Sequence, residues 1–270
     1  MAPTAEQLAG WLAAAEAAAD AAGALLRPLF RTDLGADLKA DHSPVTEADR
    51  AAERAMRAVL ARHCPGHGII GEEFGTTGAA AGLSWALDPI DGTRAFITGR
   101  PLFATLIALL DGGVPVLGLI DQPVTGERWI GVAGRATVFR GPLGGRPGCR
   151  SCARLADAEL SCTSPQMFTA NEQARWQRLA DACGRTSFGG DAYAYGLLAL
   201  GRIDVIAEAD LKLWDWAALV PVIAGAGGRM TDWRGDTLHG ETWPAAGGRV
   251  LAVGDAALLA PACDRLAAGA

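Results

Sequence analysis

At 270 residues, half of them hydrophobic, the chain can bury a large core, either as one domain or as two closely packed halves. Its formal net charge is -6 and its Arg and Lys are scattered, which excludes a basic stripe for nucleic acid or an anionic membrane surface. An anionic substrate therefore needs local help from a metal ion or from helix amides.

The alanine-rich start carries Glu6, Glu16 and Asp20 and no basic leader, so it reads as neither a signal peptide nor a membrane span. Thr4 and Gln7 form a capping box, and Leu8, Trp11, Leu12, Ala15, Ala19, Ala22 and Leu26 recur at helical spacing, which predicts an amphipathic helix to about Leu29. Residues 31–44 are polar and irregular, a linker or a loop over a site, and hold Lys39, Asp41 and His42. Thr46-Glu-Ala-Asp49 is a second capping box, opening a helix with Ala52, Ala55, Met56, Val59 and Leu60 on one face; Asp49 by itself reads as a cap. His67 to Glu73 reads as a strand running into two acids, which alternation sends to opposite sides.

Trp85-Ala-Leu-Asp88-Pro-Ile-Asp91-Gly92-Thr93 is an apolar run ending in two carboxylates, a glycine and a hydroxyl. Leu87 is the expected last buried strand position, with Asp88 and Asp91 on a turn that Pro89 enforces, and Gly92-Thr93 opening a short helix. Hard oxygen donors beside free helix amides suit a divalent cation bridging to a phosphate, although an Asp-rich turn with a cap has the same look. Segments 103–110, 114–120, 128–133 and 136–139, joined by Gly-rich turns, predict an antiparallel meander.

Gly141 to Ala153, rich in Gly, Arg and Pro, marks the expected boundary between halves 1–141 and 142–270. Its Cys149-Arg-Ser-Cys152 lacks the further pair a zinc site needs and reads as a surface loop with incidental thiols. Six cysteines in all are too few for a disulfide framework, so a reducing cytoplasm is the expected compartment. The second half alternates strands (159–163, 203–207, 230–233, 250–253) with helices (170–183, 192–200, 215–225, 256–266), a mixture that packs in layers. Asp215, between Trp214 and Trp216, sits at the first turn of an otherwise apolar helix, where an acid is ordinarily a cap and tryptophans are ordinarily core. Glu208 and Asp210 precede it as a small acidic cluster.

Several phosphate-handling signatures are absent. There is no Gly-x-x-x-x-Gly-Lys-Ser/Thr loop, Met230 stands where a dinucleotide fingerprint places glycine, and no cysteine is followed six residues on by arginine. Asp88 and Asp91 are one residue too far apart for an Asp-x-Asp nucleophile pair, and Gly99 stands where a calcium loop has its closing Glu. A carboxylate metal site without a covalent nucleophile remains.

Ser43-Pro-Val-Thr46-Glu-Ala-Asp49, Gly71-Glu72-Glu73, Asp88-Pro-Ile-Asp91-Gly92-Thr93 and Trp214-Asp215 with Ala224-Gly-Ala-Gly-Gly228 occur in that order, and the set resembles the inositol monophosphatase superfamily of magnesium-dependent, lithium-sensitive sugar phosphatases. The resemblance implies an α/β five-layer αβαβα sandwich, with the site where the halves meet, and a homodimer. It implies Glu72, Asp88, Asp91, Asp215 and the Ile90 carbonyl as ligands of two or three Mg²⁺, and the Gly92 and Thr93 amides as the phosphate cradle. Thr93, oriented by Asp49, would position the attacking water, with Glu72 alongside. Lys39 is matched to a loop lysine near the phosphate, with a spacing to Asp49 that fits less well.

Gly92-Thr-Arg94-Ala-Phe-Ile-Thr-Gly99, Gly118-Leu-Ile-Asp-Gln-Pro123 and Leu219 to Gly228 look most like the histidinol-phosphate phosphatase branch. A substrate with an ammonium and an imidazole wants acids and aromatic faces, which Asp191, Tyr193, Glu208 and Asp210 can supply, with Arg94 nearby. The alternatives are an inositol phosphate whose hydroxyl Glu208 accepts, with Asp191 as a plain helix cap, or a metal- and phosphate-binding regulator without turnover.

Overall fold

The structure is a computed structural model that describes residues 3–32, 37–38, 44–78, 82–244 and 247–267. Lys39, Asp41 and His42 lie outside these residues, so the expectations placed on them are not addressed. Helix α1 (Ala5–Leu29) is followed by two short paired strands, β1 (Asp37–Leu38) and β2 (Pro44–Val45), and by α2 (Glu47–His63). Both expected capping boxes form, with Thr4 and Gln7 reciprocally bonded at α1 and Thr46 and Asp49 at α2.

Seven strands make the first sheet: β3 (Gly68–Gly71), β4 (Gly75–Thr77), β5 (Leu83–Asp91), β6 (Ala104–Asp111), β7 (Val114–Gln122), β8 (Glu127–Val132) and β9 (Val138–Arg140), in the order β4-β3-β5-β6-β7-β8-β9. From β5 to β9 every pairing is antiparallel, as the Gly-rich turns predict, and β3 runs parallel to β5. After the short α3 (Thr93–Ile97) and the meander, the chain enters a five-stranded mixed sheet. Its strands are β10 (Glu159–Cys162), β11 (Arg185–Phe188), β12 (Val205–Leu211), β13 (Arg229–Thr231) and β14 (Gly248–Val253), in the order β11-β10-β12-β14-β13. Helices α4 (Ala170–Ala180), α5 (Asp191–Ala199), α6 (Leu213–Trp216), α7 (Leu219–Gly225) and α8 (Leu259–Leu266) complete the chain. Among the described residues no helix is long and apolar enough to cross a membrane.

Strand alternation separates three cores. Trp85, Leu87, Ile107 and Leu109 face outward onto the alanine-rich stripe of α1 and onto Ala52, Met56 and Leu60 of α2. Ala86, Leu106, Ala108 and Trp129 face inward onto α5, α6 and α7, which meet Ile206, Val250 and Ala252 of the second sheet from the other side. Val205, Ala207 and Leu251 face outward onto Trp176 and Leu179 of α4 and Ala262 and Leu266 of α8. The result is the α/β/α/β/α sandwich. Asp88 follows Ala86 by two residues and Glu208 follows Ile206 by two, so the same alternation aims both acids at the middle layer.

Four sequence expectations change. Asp88 and Asp91 are not on a turn after the strand, because β5 continues through Asp91. Asp88 pairs with Leu106 and Asp91 with Ala104, so the register shifts by one residue and Pro89–Ile90 form a bulge that absorbs the missing proline N–H. Glu72 and Glu73 are not alternating strand residues: β3 ends at Gly71 and both lie in the tight connection to β4. The single helix expected over 215–225 is two, since Pro221 cannot donate to a carbonyl four residues back and breaks the ladder between α6 and α7. The thiols of the 149–152 loop are turned inward, Cys152 buried and Cys149 half-buried, because each packs a small apolar group against the second sheet's edge. All six cysteines are free.

Gly118 and Gly131 are directly paired on β7 and β8 and form a trough in the inner face. The α6–α7 segment lies in it: a Cβ on Gly118 would stand 2.0 Å from Ala218 O, and one on Gly131 2.3 Å from the Pro221 carbonyl carbon. Gly118→Ala is expected to destabilise the fold by about 1–3 kcal/mol through overpacking, read as a lower denaturant midpoint at unchanged slope.

Candidate active site

The β5 bulge fixes the first two acids. Asp88 Oδ1 accepts from the Ile90 amide at 2.9 Å, closing the bulge on itself, and Thr105 Oγ1 donates to Pro89 O at 2.8 Å from the neighbouring strand. Asp91 Oδ2 accepts from the Ala192 amide at the start of α5, so this carboxylate spans the two halves of the chain. Asp215 arrives on α6, whose third helical position it occupies, and its Oδ2 accepts from the Lys212 amide at 2.6 Å. The three remain close, with a carboxylate oxygen of each within 4.8 Å of those of the others.

Glu72 joins from the β3–β4 turn, near enough for its charge to raise Asp88 and Asp215. Asp49, buried at the third helical position of α2, accepts at Oδ2 from both the Thr46 amide at 2.8 Å and Thr46 Oγ1 at 2.7 Å. Its other oxygen, Oδ1, lies 3.4 Å from Thr93 Oγ1, which is also 3.2 Å from Ile90 O. Asp49 is therefore a cap through one oxygen and a partner of Thr93 through the other. Gly92 precedes α3 at φ +92°, and a Cβ there would stand 2.9 Å from Asp191 Cγ, so both backbone and space require glycine. The first intrahelical donors of α3 are Ala95 and Phe96, both to Gly92 O, which leaves the Gly92 and Thr93 amides ahead of the hydrogen-bonded ladder.

So many acids in one buried place disfavour their own ionisation. Burial first, then the charges of Glu72, Asp91 and Asp215, pushes Asp88 well above the usual carboxylate range. Burial, then Asp191 and Asp215, does the same to Asp91. Asp215 is pushed up to about 8 by burial and then by Glu72, and Asp49 is raised by burial against the opposing bonds from Thr46. An all-oxygen donor set whose members repel one another fits a hard divalent cation, which supplies the missing positive charge.

Next to Asp91 and Asp215 opens a cavity of about 170 Å³, lined also by Thr163, Met167, Asp191, Tyr195, Glu208 and Asp210. Glu208 is buried and held at both oxygens, Oε1 accepting from the Thr163 amide at 2.6 Å and Oε2 from Tyr195 Oη at 2.8 Å. Asp191, the first residue of α5 at φ +42°, is raised to about 7 by burial and by Glu208, against the charges of Arg100 and Arg94. The cap position of α5 belongs to Gly190, so Asp191 is not the helix cap. Arg94 itself is exposed on α3 and does not line the cavity. Asp210 sits at the cavity edge with its Oδ1 2.7 Å from Lys212 Nζ, so its charge already has a partner.

The aromatic residue at the cavity is Tyr195 and not Tyr193. Tyr193 turns away and donates to Glu127 Oε2 at 2.7 Å against Trp129, whereas Tyr195, two residues and more than half a helical turn further on, faces the cavity. Nothing in the linear sequence marks Thr163, whose amide holds Glu208.

The sequence profile of the inositol monophosphatase family matches residues 7–266. The chain belongs to this family of phosphoric monoester hydrolases. A solved inositol monophosphatase from Zymomonas mobilis superimposes at a TM-score of 0.85 with 45% identity, covering 98% of this chain and 99% of that one. The histidinol-phosphatase of Mycobacterium tuberculosis is 40% identical over 220 residues, covering 80% of this chain and 82% of that protein. The chloroplastic bifunctional phosphatase IMPL2 of Arabidopsis thaliana is 49% identical over 199 residues, which cover 73% of this chain and only 57% of the plant protein.

The family's acids make a pH prediction with a definite sign. Because the folded state holds protons on Asp88, Asp91, Asp191 and Asp215 that the unfolded chain releases near pH 4, the metal-free protein is expected to lose stability as pH rises from about 4 through about 8. A Mg²⁺ ion held by these acids would have to displace those protons, so any stabilisation by Mg²⁺ is expected to grow across the same window. Melting temperatures with chelator and with excess Mg²⁺, measured from acid to mildly alkaline pH, check this: the two curves should diverge as pH rises.

Proposed function

We propose that this chain is a Mg²⁺-dependent phosphate monoesterase whose preferred substrate is L-histidinol phosphate. The observation that carries the reading is the convergence of Asp88, Asp91 and Asp215 within 4.8 Å, beside a cavity lined by Glu208 and Asp191. Asp88, Asp91 and Asp215, with Glu72 and the Ile90 carbonyl, would hold two or three Mg²⁺. Bound Mg²⁺ supplies Lewis-acid polarisation of the phosphoryl oxygens and lowers the pKa of a coordinated water.

The chain's own groups do the rest. The Gly92 and Thr93 amides hold the phosphate at the opening of α3. Asp49, locked at Oδ2 by Thr46, accepts a hydrogen bond from the Thr93 hydroxyl at Oδ1, which turns a Thr93 lone pair toward the attacking water and aligns it opposite the leaving alcohol. As water oxygen bonds to phosphorus, the bond from phosphorus to the alcohol oxygen breaks; one water proton ends on the alcohol and the other stays with phosphate.

Substrate choice follows from the cavity. Buried Glu208 and half-buried Asp191 face a space that already adjoins Asp91 and Asp215, an environment suited to an ammonium and an imidazole rather than to neutral hydroxyls alone. The relative named histidinol-phosphatase supports this reading, while the Zymomonas mobilis neighbour supports an inositol phosphate, whose hydroxyl Glu208 can also accept. A binding regulator without turnover has no use for the Thr93–Asp49 pair. The resemblance also carries lithium sensitivity, a homodimer and a cytoplasmic setting into the proposal.

Phosphate release from histidinol phosphate, an inositol phosphate, fructose bisphosphate and a nucleotide bisphosphate tests the substrate directly. With Mg²⁺, histidinol phosphate should give the highest kcat/KM, and Glu208→Gln should lower it about tenfold or more while an uncharged sugar phosphate loses less. Equal losses on both would remove the ammonium-recognition idea. Thr93→Ala should lower kcat by about 10²–10³-fold with a small change in KM, and a change confined to KM would refute its water-positioning role.

A further inference from the structure

One more acid is fully buried, and neither the ligand set nor the substrate cavity uses it: Glu53, on α2, with a side chain that has no exposed surface. Both of its oxygens are engaged by the turn between β3 and β4. Oε2 accepts from the Glu73 amide at 2.7 Å, and Oε1 accepts from the Phe74 amide at 3.3 Å and from Arg57 Nε at 2.7 Å. Arg57, one helical turn along, then reaches across the turn to donate to Gly75 O and, at 3.0 Å, to Thr77 Oγ1 on β4. Helix α2 thus grips the turn from Glu73 to Gly75 and the end of β4.

Glu72 is the residue of this turn that faces the site, where its charge opposes the ionisation of Asp88, Asp49 and Asp215. Gly71, which opens the turn, is shaped around the same grip: a Cβ there would stand 2.1 Å from Glu53 Oε1 and 2.6 Å from Arg57 Nη2. An apolar residue at position 53 would fill the space, but it would leave two main-chain amides of the turn without this acceptor. The Gly71-Glu72-Glu73 motif therefore divides its work: the glycine makes room for Glu53, the first glutamate faces the site, and the second offers its amide as the anchor.

We propose that Glu53, with Arg57 as its counter-ion, is a positioning residue that fixes the Glu72 carboxylate against Asp88 and thereby sets the Mg²⁺ affinity of the site. The inference rests on the metal-dependent reading given above. It assigns to α2 a second task besides presenting Asp49, so that one helix places both the partner of Thr93 and the turn that carries a ligand.

Calorimetric titration of Mg²⁺ into wild-type and Glu53→Gln protein, alongside the Mg²⁺ dependence of phosphate release, tests it. Glutamine keeps the size but replaces one acceptor with a donor and removes the ion pair. The Mg²⁺ dissociation constant is expected to rise about 10–100-fold, the range for groups that orient a metal ligand, while kcat and KM at saturating Mg²⁺ return to wild-type values. In a Glu72→Gln background the further change Glu53→Gln should weaken Mg²⁺ no more, since the group it acts through is gone. Arg57→Lys, which keeps the charge but loses the planar fork, should give an intermediate loss.

A Glu53→Gln protein that melts earlier yet binds Mg²⁺ as tightly as wild type would overturn the proposal, as would additive losses in the double variant. If Glu53→Gln does not fold, Arg57→Lys and Gly71→Ala make the same comparison from the other sides of the contact, and unchanged Mg²⁺ affinity in both would overturn it. Wild-type protein that takes up no Mg²⁺ would remove the metal-dependent reading and this inference with it. Wild-type binding and turnover with an unaffected Glu53→Gln would remove the positioning role alone.

Discussion

Mutual repulsion among buried carboxylates is the constraint around which this protein is built. Asp88 and Asp91 of β5 and Asp215 from a distant part of the chain are held with oxygens within 4.8 Å of one another, where burial and like charge both oppose ionisation. Main-chain amides hold them there. Asp49 bonds Thr46 N, Asp88 bonds Ile90 N, Asp91 bonds Ala192 N, Asp215 bonds Lys212 N, and at the cavity Glu208 bonds Thr163 N. Each acid gives one oxygen to the backbone. For Asp49 the other oxygen faces Thr93. A rigid amide is a better anchor here than a lysine or arginine, because a mobile cation would neutralise the charge that suits these acids to a divalent cation.

Supplying those amides is the work of the fold. Three of the five come from helix starts, where N–H groups lack intrahelical partners, that of Ala192 lying 101 residues beyond the aspartate it binds; one comes from the bulge in β5 and one from Thr163, just after β10. Such a distribution requires the two sheets to stack with the middle helices at a fixed height. The trough of Gly118 and Gly131 seats the segment that follows Asp215, and the inward alternation of β5 and β12 delivers Asp88 and Glu208 to the same layer. Packing and chemistry are coupled at this point: a shift of the α6–α7 segment would move a carboxylate at the site.

Several residues presented themselves in the sequence as alternatives that the structure resolves by using both. Asp49 and Asp215 were legible either as helix caps or as site acids, and each is a cap through Oδ2 while its position leads into the site. Capping-box spacing predicts the first role because it is local. The second depends on where the helix is docked, which no local pattern encodes. Tyr193 and Tyr195 show the same limit, since the helix was predicted but its rotation about its own axis was not. Glu53 was hidden for a related reason: an acid amid an otherwise apolar helix face reads as solvated unless the turn packed over it is known.

By itself the sequence determined the capped helices, the antiparallel meander, the apolar strand that leads into Asp88 and Asp91, and, through its ordered motifs, the family and its layered sandwich. Those features follow from periodicity, capping and turn chemistry, which act over a few residues. Only the tertiary structure decided that β5 bulges instead of ending, that Pro221 splits a helix, that Asp91 reaches across to α5, and that Glu53 grips the turn bearing Glu72. These contacts join chain segments up to about a hundred residues apart, and their geometry is set by how whole layers pack, a quantity that the order of side chains along one strand or helix does not contain.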